Sequence, residues 1–104
     1  MDPKIWGESG WKFLYNVSLG YPDAPTELHK YSAELFFSSL EYMLPCGICR
    51  VNYGSALKKF PLTMEVCANK TSLTQWLINI QNDDLARRGK PLMNFSTVLE
   101  KYTR

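Results

Sequence analysis

The sequence has no apolar run long enough to cross a lipid bilayer. A membrane-spanning helix needs roughly 18 to 20 consecutive apolar residues, and no stretch of the 104 residues approaches that length. The opening stretch, Met1-Asp2-Pro3-Lys4-Ile5-Trp6, also lacks the basic and then apolar pattern of a secretory signal peptide. We therefore expect a soluble chain that is neither inserted into a membrane nor cleaved by a signal peptidase.

The sequence also has no long run of charges of one sign. It contains 12 basic and 10 acidic residues, which gives a formal net charge of +2. Proteins that hold nucleic acid through its phosphates carry clustered Lys and Arg side chains. We therefore expect no nucleic-acid partner.

Cysteine and histidine are scarce, and their small number limits the possible chemistry. The chain has three cysteines, Cys46, Cys49 and Cys67, and one histidine, His29. Three cysteines are too few for a disulfide-stapled scaffold and allow at most one internal bridge. Zinc is disfavoured, because His29 has no metal-like spacing to any cysteine. We expect His29 to be solvated and Cys67 to be inert.

The pattern of apolar residues predicts an all-α protein. There is no internal repeat and no strand pattern, and the 45% hydrophobic content is enough for one compact core, so residues 1–104 should form a single domain. Helical periodicity predicts helices over about 8–19, 26–43, 45–59, 72–88 and 94–102. The connection 60–70 should be irregular, with a short helical turn over 64–68. The helices should pack as a small bundle.

Each predicted helix has one face that should be buried. The residues on these faces are Trp11, Leu14, Tyr15 and Ser18; Leu28, Tyr31, Leu35, Phe36, Ser39, Leu40 and Met43; Ile48, Tyr53, Ala56, Leu57 and Phe60; Leu73, Trp76, Leu77 and Ile80; and Phe95, Val98, Leu99 and Tyr102. The form Ser72-Leu73-Thr74-Gln75 predicts a capping box at the start of the fourth helix, and Gly89 should end that helix.

Two cysteines stand at C-x-x-C spacing in the stretch Leu44-Pro45-Cys46-Gly47-Ile48-Cys49. Pro45 suits the first turn of a helix, and cysteines three apart on a helix share one face. The free amides and the positive partial charge of a first turn favour a thiolate at Cys46. Cys46 is therefore predicted to be the attacking or attacked sulfur. The alternative is a pair of inert core thiols, since free cysteines are often buried.

Several short motifs follow one another along the chain. They are Trp6-Gly7-Glu8-Ser9-Gly10-Trp11-Lys12-Phe13-Leu14, Tyr21-Pro22, Pro25-Thr26, the C-x-x-C stretch, and Trp76 with Asn82, Gly89, Lys90 and Pro91. In order and spacing these motifs strongly resemble the Erv/ALR family of FAD-dependent sulfhydryl oxidases. Each motif alone is weak, but their combination is specific. The compact chain, without an added shuttle-cysteine arm, is most similar to the short forms carried by large double-stranded DNA viruses.

The resemblance implies a four-helix bundle with a short fifth helix, FAD at the mouth of the bundle, and a homodimer formed through the bundle face. Such an enzyme takes electrons from client protein thiols and passes them through the flavin to oxygen; for a viral protein it would work in the host cytoplasm or the virion. Cys49 would be the sulfur beside the flavin, and Cys46 the more exposed sulfur that forms the mixed disulfide with the client. The implied FAD contacts are Gly7, Trp11, Tyr15, Asn52, Tyr53, Trp76, Gln81, Asn82 and Lys90.

Some of these positions differ from the residues that are common in the family. Tyr15, Asn52 and Gln81 stand where the family often has histidine. Asp84 stands where the family usually has an apolar residue, and Leu85 stands where it usually has a polar one. Two alternatives follow from these differences. The chain would be either a family member without flavin that serves as a structural or partner-binding subunit, for example in a virion, or a flavin-free dithiol carrier. In either case Trp11 and Trp76 would be ordinary core residues.

Overall fold

The computed structural model describes residues 1–103, and all of the regular structure in this part is helical. The helices are α1 (Pro3–Leu19), α2 (Glu27–Met43), α3 (Gly47–Lys59), α4 (Lys70–Arg87) and α5 (Phe95–Tyr102), with one 3₁₀ turn over Val66–Ala68. The predicted class, four long helices and a short fifth, is confirmed. None of the helices in residues 1–103 has the length and apolar character needed to span a membrane.

The starting positions of α1 and α3 differ from the predicted ones. α1 begins at Pro3 and not near Glu8, because the Asp2 carboxylate accepts a hydrogen bond from the Lys4 amide at 2.9 Å and Pro3 fits the first helical position. α3 begins at Gly47 and not at Pro45, with Cys46 as its N-cap. Cys46 therefore lies just before α3, and Cys49 lies in its first turn.

The predicted capping box of α4 is wrong by three residues. Asn69 is the N-cap: its side-chain oxygen accepts from the Ser72 amide at 2.8 Å, and the Ser72 hydroxyl accepts from the Asn69 amide at 3.2 Å. Gln75, the expected partner of Ser72, instead donates to Asn79 at 3.1 Å. Ser72-x-x-Gln75 follows the usual capping-box sequence, whereas the observed pair, Asn69 and Ser72, has serine where glutamate or glutamine is usual. The extended backbone of Asn69 (φ −165°) places the start of the helix there.

Gly89 ends α4 as expected. Its φ of +66° lies in the left-handed region, where only glycine avoids steric cost. The Gly89 amide donates to the Ala86 carbonyl at 3.1 Å and the Lys90 amide donates to the Leu85 carbonyl at 2.9 Å. These two bonds form a Schellman motif, which satisfies the last carbonyls of the helix and turns the chain toward α5.

α4 is the central element of the bundle. It packs against α1, α3, α5 and the 3₁₀ turn, whereas α2 packs against α3 and the 3₁₀ turn. The residues of α4 that are buried are Leu73, Thr74, Trp76, Leu77, Ile78, Ile80 and Gln81. The predicted buried faces of α1 and α4 are confirmed, with Trp11 only partly buried.

The predicted buried face of α2 is largely wrong. Leu28, Tyr31, Leu35 and Met43 are exposed, and the residues that face the core are Ala33 and Phe37, with Phe36 and Leu40 partly buried. Apolar side chains occupy two sides of α2, and periodicity alone does not show which side meets the bundle. In α3, Ile48 is likewise exposed, and in α5 so is Leu99.

We expect Asn69→Ala to destabilise the protein by about 1 kcal/mol, because it removes the side-chain acceptor at the start of α4. Gln75→Ala changes an exposed residue outside the capping box and should cost less than about 0.5 kcal/mol. Urea unfolding of the two variants measures this difference. A larger loss in Gln75→Ala than in Asn69→Ala would contradict the observed cap.

Candidate redox site

Cys46 and Cys49 are joined by a disulfide at the start of α3, with Cα atoms 5.0 Å apart. The Cys46 sulfur also accepts a hydrogen bond from the Cys49 amide at 3.3 Å, so the sulfur itself caps the helix. This position, at the positive end of a helix, stabilises a thiolate when the pair is reduced. The interpretation of two inert, unpaired core thiols is excluded by the disulfide.

Cys46 is the less exposed of the two cysteines, contrary to expectation. It is 5% exposed, whereas Cys49 is half-buried. The physical reason is the cap itself, since the Cys46 side chain folds back over the first turn of α3 to reach the Cys49 amide. A shallow groove of about 420 Å³ borders the pair and is lined by Glu41, Tyr42, Gly47, Arg50 and Val51.

Tyr15 and Gln81, two of the predicted cofactor residues, meet in a buried hydrogen-bond network. The Tyr15 hydroxyl donates to Gln81 Oε1 at 2.7 Å, and Gln81 Nε2 donates to the Tyr102 hydroxyl at 3.2 Å. The rings of Tyr15 and Tyr102 stack with centroids 4.8 Å apart, and the Trp11 ring lies 6.1 Å from Tyr15. Burial, and secondarily Tyr102, raises the pKa of Tyr15 well above its ordinary value.

Tyr53 and Trp76 lie in a different part of the core, where both reach α2. The Tyr53 hydroxyl donates to the Phe37 carbonyl at 2.5 Å, and the Trp76 ring lies 5.5 Å from the Phe37 ring. Trp76 Nε1 donates to the Phe60 carbonyl at 2.7 Å. Burial raises the pKa of Tyr53, with a smaller contribution from Glu41. The polar atoms of both side chains are therefore used within the bundle.

The remaining predicted contacts lie nearer the surface. Asn52 is half-buried one turn after Cys49 on α3, and Lys90 is exposed. Asn82 Nδ2 donates to the Met93 carbonyl at 2.9 Å, and its Oδ1 accepts from the Met93 amide at 2.8 Å. Asn82 thus ties the segment before α5 to α4. In α1, Gly7 has no atom within 4 Å of the position that a Cβ would take.

Asp83 and Asp84 are compensated by basic side chains. Asp83 pairs with Lys59 at 2.7 Å and with Arg87 at 3.0 Å, and Asp84 pairs with Arg87 and Arg88, both at 3.0 Å. A phosphate group near this end of α4 would therefore meet neutralised carboxylates and not two free negative charges.

Together these features define a small helical protein with a redox-active C-x-x-C disulfide at a helix start. The chain belongs to the Erv1 / Alr family, whose sequence pattern matches residues 8–103. The resemblance found in the sequence is thus confirmed.

Relatives from large DNA viruses are similar over nearly the whole chain. A probable FAD-linked sulfhydryl oxidase of Acanthamoeba polyphaga mimivirus is 43% identical over 100 residues, which cover 96% of this chain and 70% of the relative. An FAD-linked sulfhydryl oxidase of African swine fever virus is 30% identical over 97 residues, covering 93% and 79%. The FAD binding domain of Erv1 from Saccharomyces cerevisiae superposes with a TM-score of 0.85 at 20% identity, covering 98% of this chain and 94% of that chain, and shows the same fold.

The residues present fit a flavin dinucleotide. Trp6 Nε1 is buried and has no hydrogen-bond partner among residues 1–103, so one buried donor on α1 is left over for a bound group. Asn52 offers a polar group one turn from Cys49, Lys90 offers an exposed cation, and the α4 carboxylates are neutralised. Sequence reasoning had not identified the Trp6 donor, or the role of Tyr102 in ordering Gln81; neither feature has a sequence signal of its own.

Tyr15→Phe should destabilise the protein by about 1 to 2 kcal/mol, because Gln81 Oε1 loses its donor in a buried site. Unfolding in urea at pH 7 measures this loss. Tyr42→Phe, which changes a side chain that is 77% exposed, is the matched control and should be nearly neutral. Equal stabilities of the two variants would contradict the network.

Stability should also fall at alkaline pH. An unfolded tyrosine loses its proton near pH 10, whereas burial raises the pKa of Tyr15 in the folded protein. The stabilisation is therefore complete below about pH 10 and decreases above it, by up to about 1.4 kcal/mol per pH unit for each such tyrosine. Chemical unfolding between pH 9 and 11 should show a shallower decrease in Tyr15→Phe than in the wild type.

Proposed function

We propose that this protein is an FAD-linked thiol oxidase that forms disulfides in client proteins through Cys46 and Cys49 and passes the electrons to oxygen. The observation that carries the proposal is the Cys46–Cys49 disulfide at the start of α3 in a chain of the Erv1 / Alr family. Identity of 43% to a viral relative named as an FAD-linked oxidase favours this function over a flavin-free structural subunit.

The exchange reaction uses the pair in two steps. A client thiolate attacks the Cys46 sulfur, the Cys46–Cys49 bond breaks, and its electron pair leaves on Cys49. A second client thiol loses its proton to water and attacks the client sulfur of the mixed disulfide. The client disulfide forms, and Cys46 leaves as a thiolate. Two electrons have then moved from the client to the Cys46/Cys49 dithiol.

FAD, when bound, supplies the two-electron acceptor for this dithiol and the reaction with oxygen. The chain's own residues bind and orient it. We place Cys49 beside the flavin ring and assign contacts to Gly7, Trp11, Asn52 and Lys90. Tyr15, Tyr53, Trp76, Gln81 and Asn82 form or brace the walls, which is supported by their buried or half-buried positions and fixed hydrogen bonds.

The names of its relatives support a proposal for where the protein works. Large DNA viruses carry similar oxidases. We therefore assign the protein to the host cytoplasm or the virion, with client protein thiols as its partners.

Cys49→Ser should leave FAD bound but abolish dithiothreitol-driven oxygen consumption, because the pair no longer closes a disulfide. The matched control is Cys67→Ala, which removes a thiol that is buried and outside the disulfide, and which should retain turnover. Visible absorption after denaturing release counts FAD per chain, and an oxygen electrode measures turnover. Persistent oxygen consumption in Cys49→Ser, or a wild-type chain that binds no FAD, would overturn the function.

The outer face of α2, formed by Leu28, Tyr31 and Leu35, is a surface on which we place a second copy of the chain. These side chains are 72%, 61% and 52% exposed and lie along one side of the helix. An apolar row of this kind on a small soluble domain is a binding surface. Two copies related by a twofold axis would each cover the row of the other.

Leu35→Glu should convert this homodimer to a monomer, because it places a carboxylate in an apolar interface. Leu92→Glu introduces the same change at another exposed apolar position, outside α2, and should leave the dimer intact. Sedimentation velocity measures the result. A wild-type monomer, or a dimer in Leu35→Glu, would place the interface elsewhere or exclude it.

A further inference from the structure

The side chain of Arg50 wraps around the start of α3. Its amide donates to the Cys46 carbonyl at 3.0 Å, which is the first helical hydrogen bond, and its Nη1 donates to the Leu44 carbonyl at 2.5 Å. Nη2 lies 3.7 Å from the position that a Cβ on Gly47 would occupy. The guanidinium thus passes over the first turn of α3 next to Gly47, which has no side chain, and bonds to Leu44, the residue before Pro45.

This path gives Arg50 two independent effects on the redox pair. Its hydrogen bond to Leu44 fixes the two residues that lead into α3, so that Cys46 stays at the N-cap. Its guanidinium contacts the Leu44 carbonyl and lies 3.7 Å from the Cβ position of Gly47, so a positive charge is held beside the residues that flank Cys46. A cation close to a cysteine stabilises its thiolate over its thiol.

One opposing charge faces the same place from the neighbouring helix. Glu41 of α2 lines the groove together with Gly47 and Arg50, and its carboxylate packs where a Cβ on Gly54 would lie. The Glu41 carboxylate makes no hydrogen bond or ion pair with residues 1–103, and the Arg50 guanidinium bonds to the Leu44 carbonyl without forming a salt bridge to Glu41. The negative charge of Glu41 offsets part of the effect of Arg50 on a Cys46 thiolate. Arg50 lies on the helix that Cys46 caps, whereas Glu41 lies on α2.

We propose that Arg50 is a positioning residue for the disulfide exchange, holding Cys46 at the helix start and stabilising the thiolate that Cys46 becomes when the client disulfide forms. A better-stabilised thiolate is a better leaving group and makes the pair a stronger oxidant. The step in question is the second one above, in which a client thiolate displaces Cys46 and the electron pair of the mixed disulfide leaves on the Cys46 sulfur. The inference rests on the proposed function for its place in a reaction, but its test does not require turnover.

The test is the pH dependence of Cys46 alkylation in the purified full chain, reduced with a phosphine under nitrogen. Iodoacetamide is added between pH 4 and 9, and mass spectrometry of peptides resolves Cys46 from Cys49 and Cys67. Arg50→Gln should raise the midpoint of Cys46 alkylation by about one pH unit, which is roughly tenfold less thiolate at pH values below both midpoints. Arg50→Lys keeps the charge and should restore a midpoint close to the wild type.

Arg88→Gln is the matched control, because it removes the same charge from a residue that pairs with Asp84 at the far end of α4. It should leave the Cys46 midpoint unchanged. In glutathione buffers, Arg50→Gln should need several-fold more reduced glutathione than the wild type to open half of the disulfide. If Arg50→Gln does not fold, Arg50→Met, which keeps the aliphatic stem and removes the charge, takes its place and should raise the midpoint in the same way.

Three results would overturn the proposal. They are an unchanged midpoint in Arg50→Gln (or in Arg50→Met, where that variant replaces it), an equal shift in Arg88→Gln, and a shift in Arg50→Lys as large as that in Arg50→Gln. Failure of the proposed function looks different: it appears as absent oxygen consumption in the wild type, whatever the alkylation profile.

Discussion

The burial of α4 on most of its circumference is the constraint on which the rest of the fold depends. A helix in that position has no water to satisfy its polar side chains, so each must find a partner in a neighbouring helix. Thr74 donates to Ser18 of α1, Trp76 donates to the Phe60 carbonyl after α3, and Gln81 joins Tyr15 to Tyr102. These bonds, together with the apolar contacts, fix where α1, α3 and α5 lie around α4.

The redox pair lies outside this buried centre, at the entry to a helix that α4 holds from one side. That location separates two requirements. The bundle interior supplies rigidity, and the start of α3 supplies free amides and the positive end of a helix. Because the redox pair and the bundle interior are separate, several predicted cofactor residues use their polar atoms in hydrogen bonds within the bundle. Tyr53, Trp76 and Gln81 are fixed within the bundle and give the site its shape.

Much of the fold was readable from the sequence because α1 and α4 each carry one clear apolar face, and because Gly89 and Asn94 are strong end and start signals. The buried side of α2 was not readable, since its apolar residues lie on two sides and only the bundle decides between them. The cap of α4 was misplaced because Ser72-x-x-Gln75 fits the capping-box rule, whereas the observed pair, Asn69 and Ser72, does not. The C-x-x-C pair was found at once, since its spacing and its proline are local features. The path of Arg50 and the unpaired Trp6 donor depend on three-dimensional placement.

The use of a sulfur as the N-cap of α3 has a consequence for the oxidase as a thermodynamic system. A thiolate accepts a hydrogen bond from the Cys49 amide more strongly than a disulfide sulfur does, so the reduced protein has the better-capped helix. The free energy of reduction and the free energy of forming the first turn of α3 are therefore coupled, and the coupling is reciprocal. Reduction of the pair stabilises the turn by a certain free energy. Loss of the turn disfavours reduction by the same free energy. In this protein the reduction of the disulfide and the formation of the first turn of α3 are therefore thermodynamically linked.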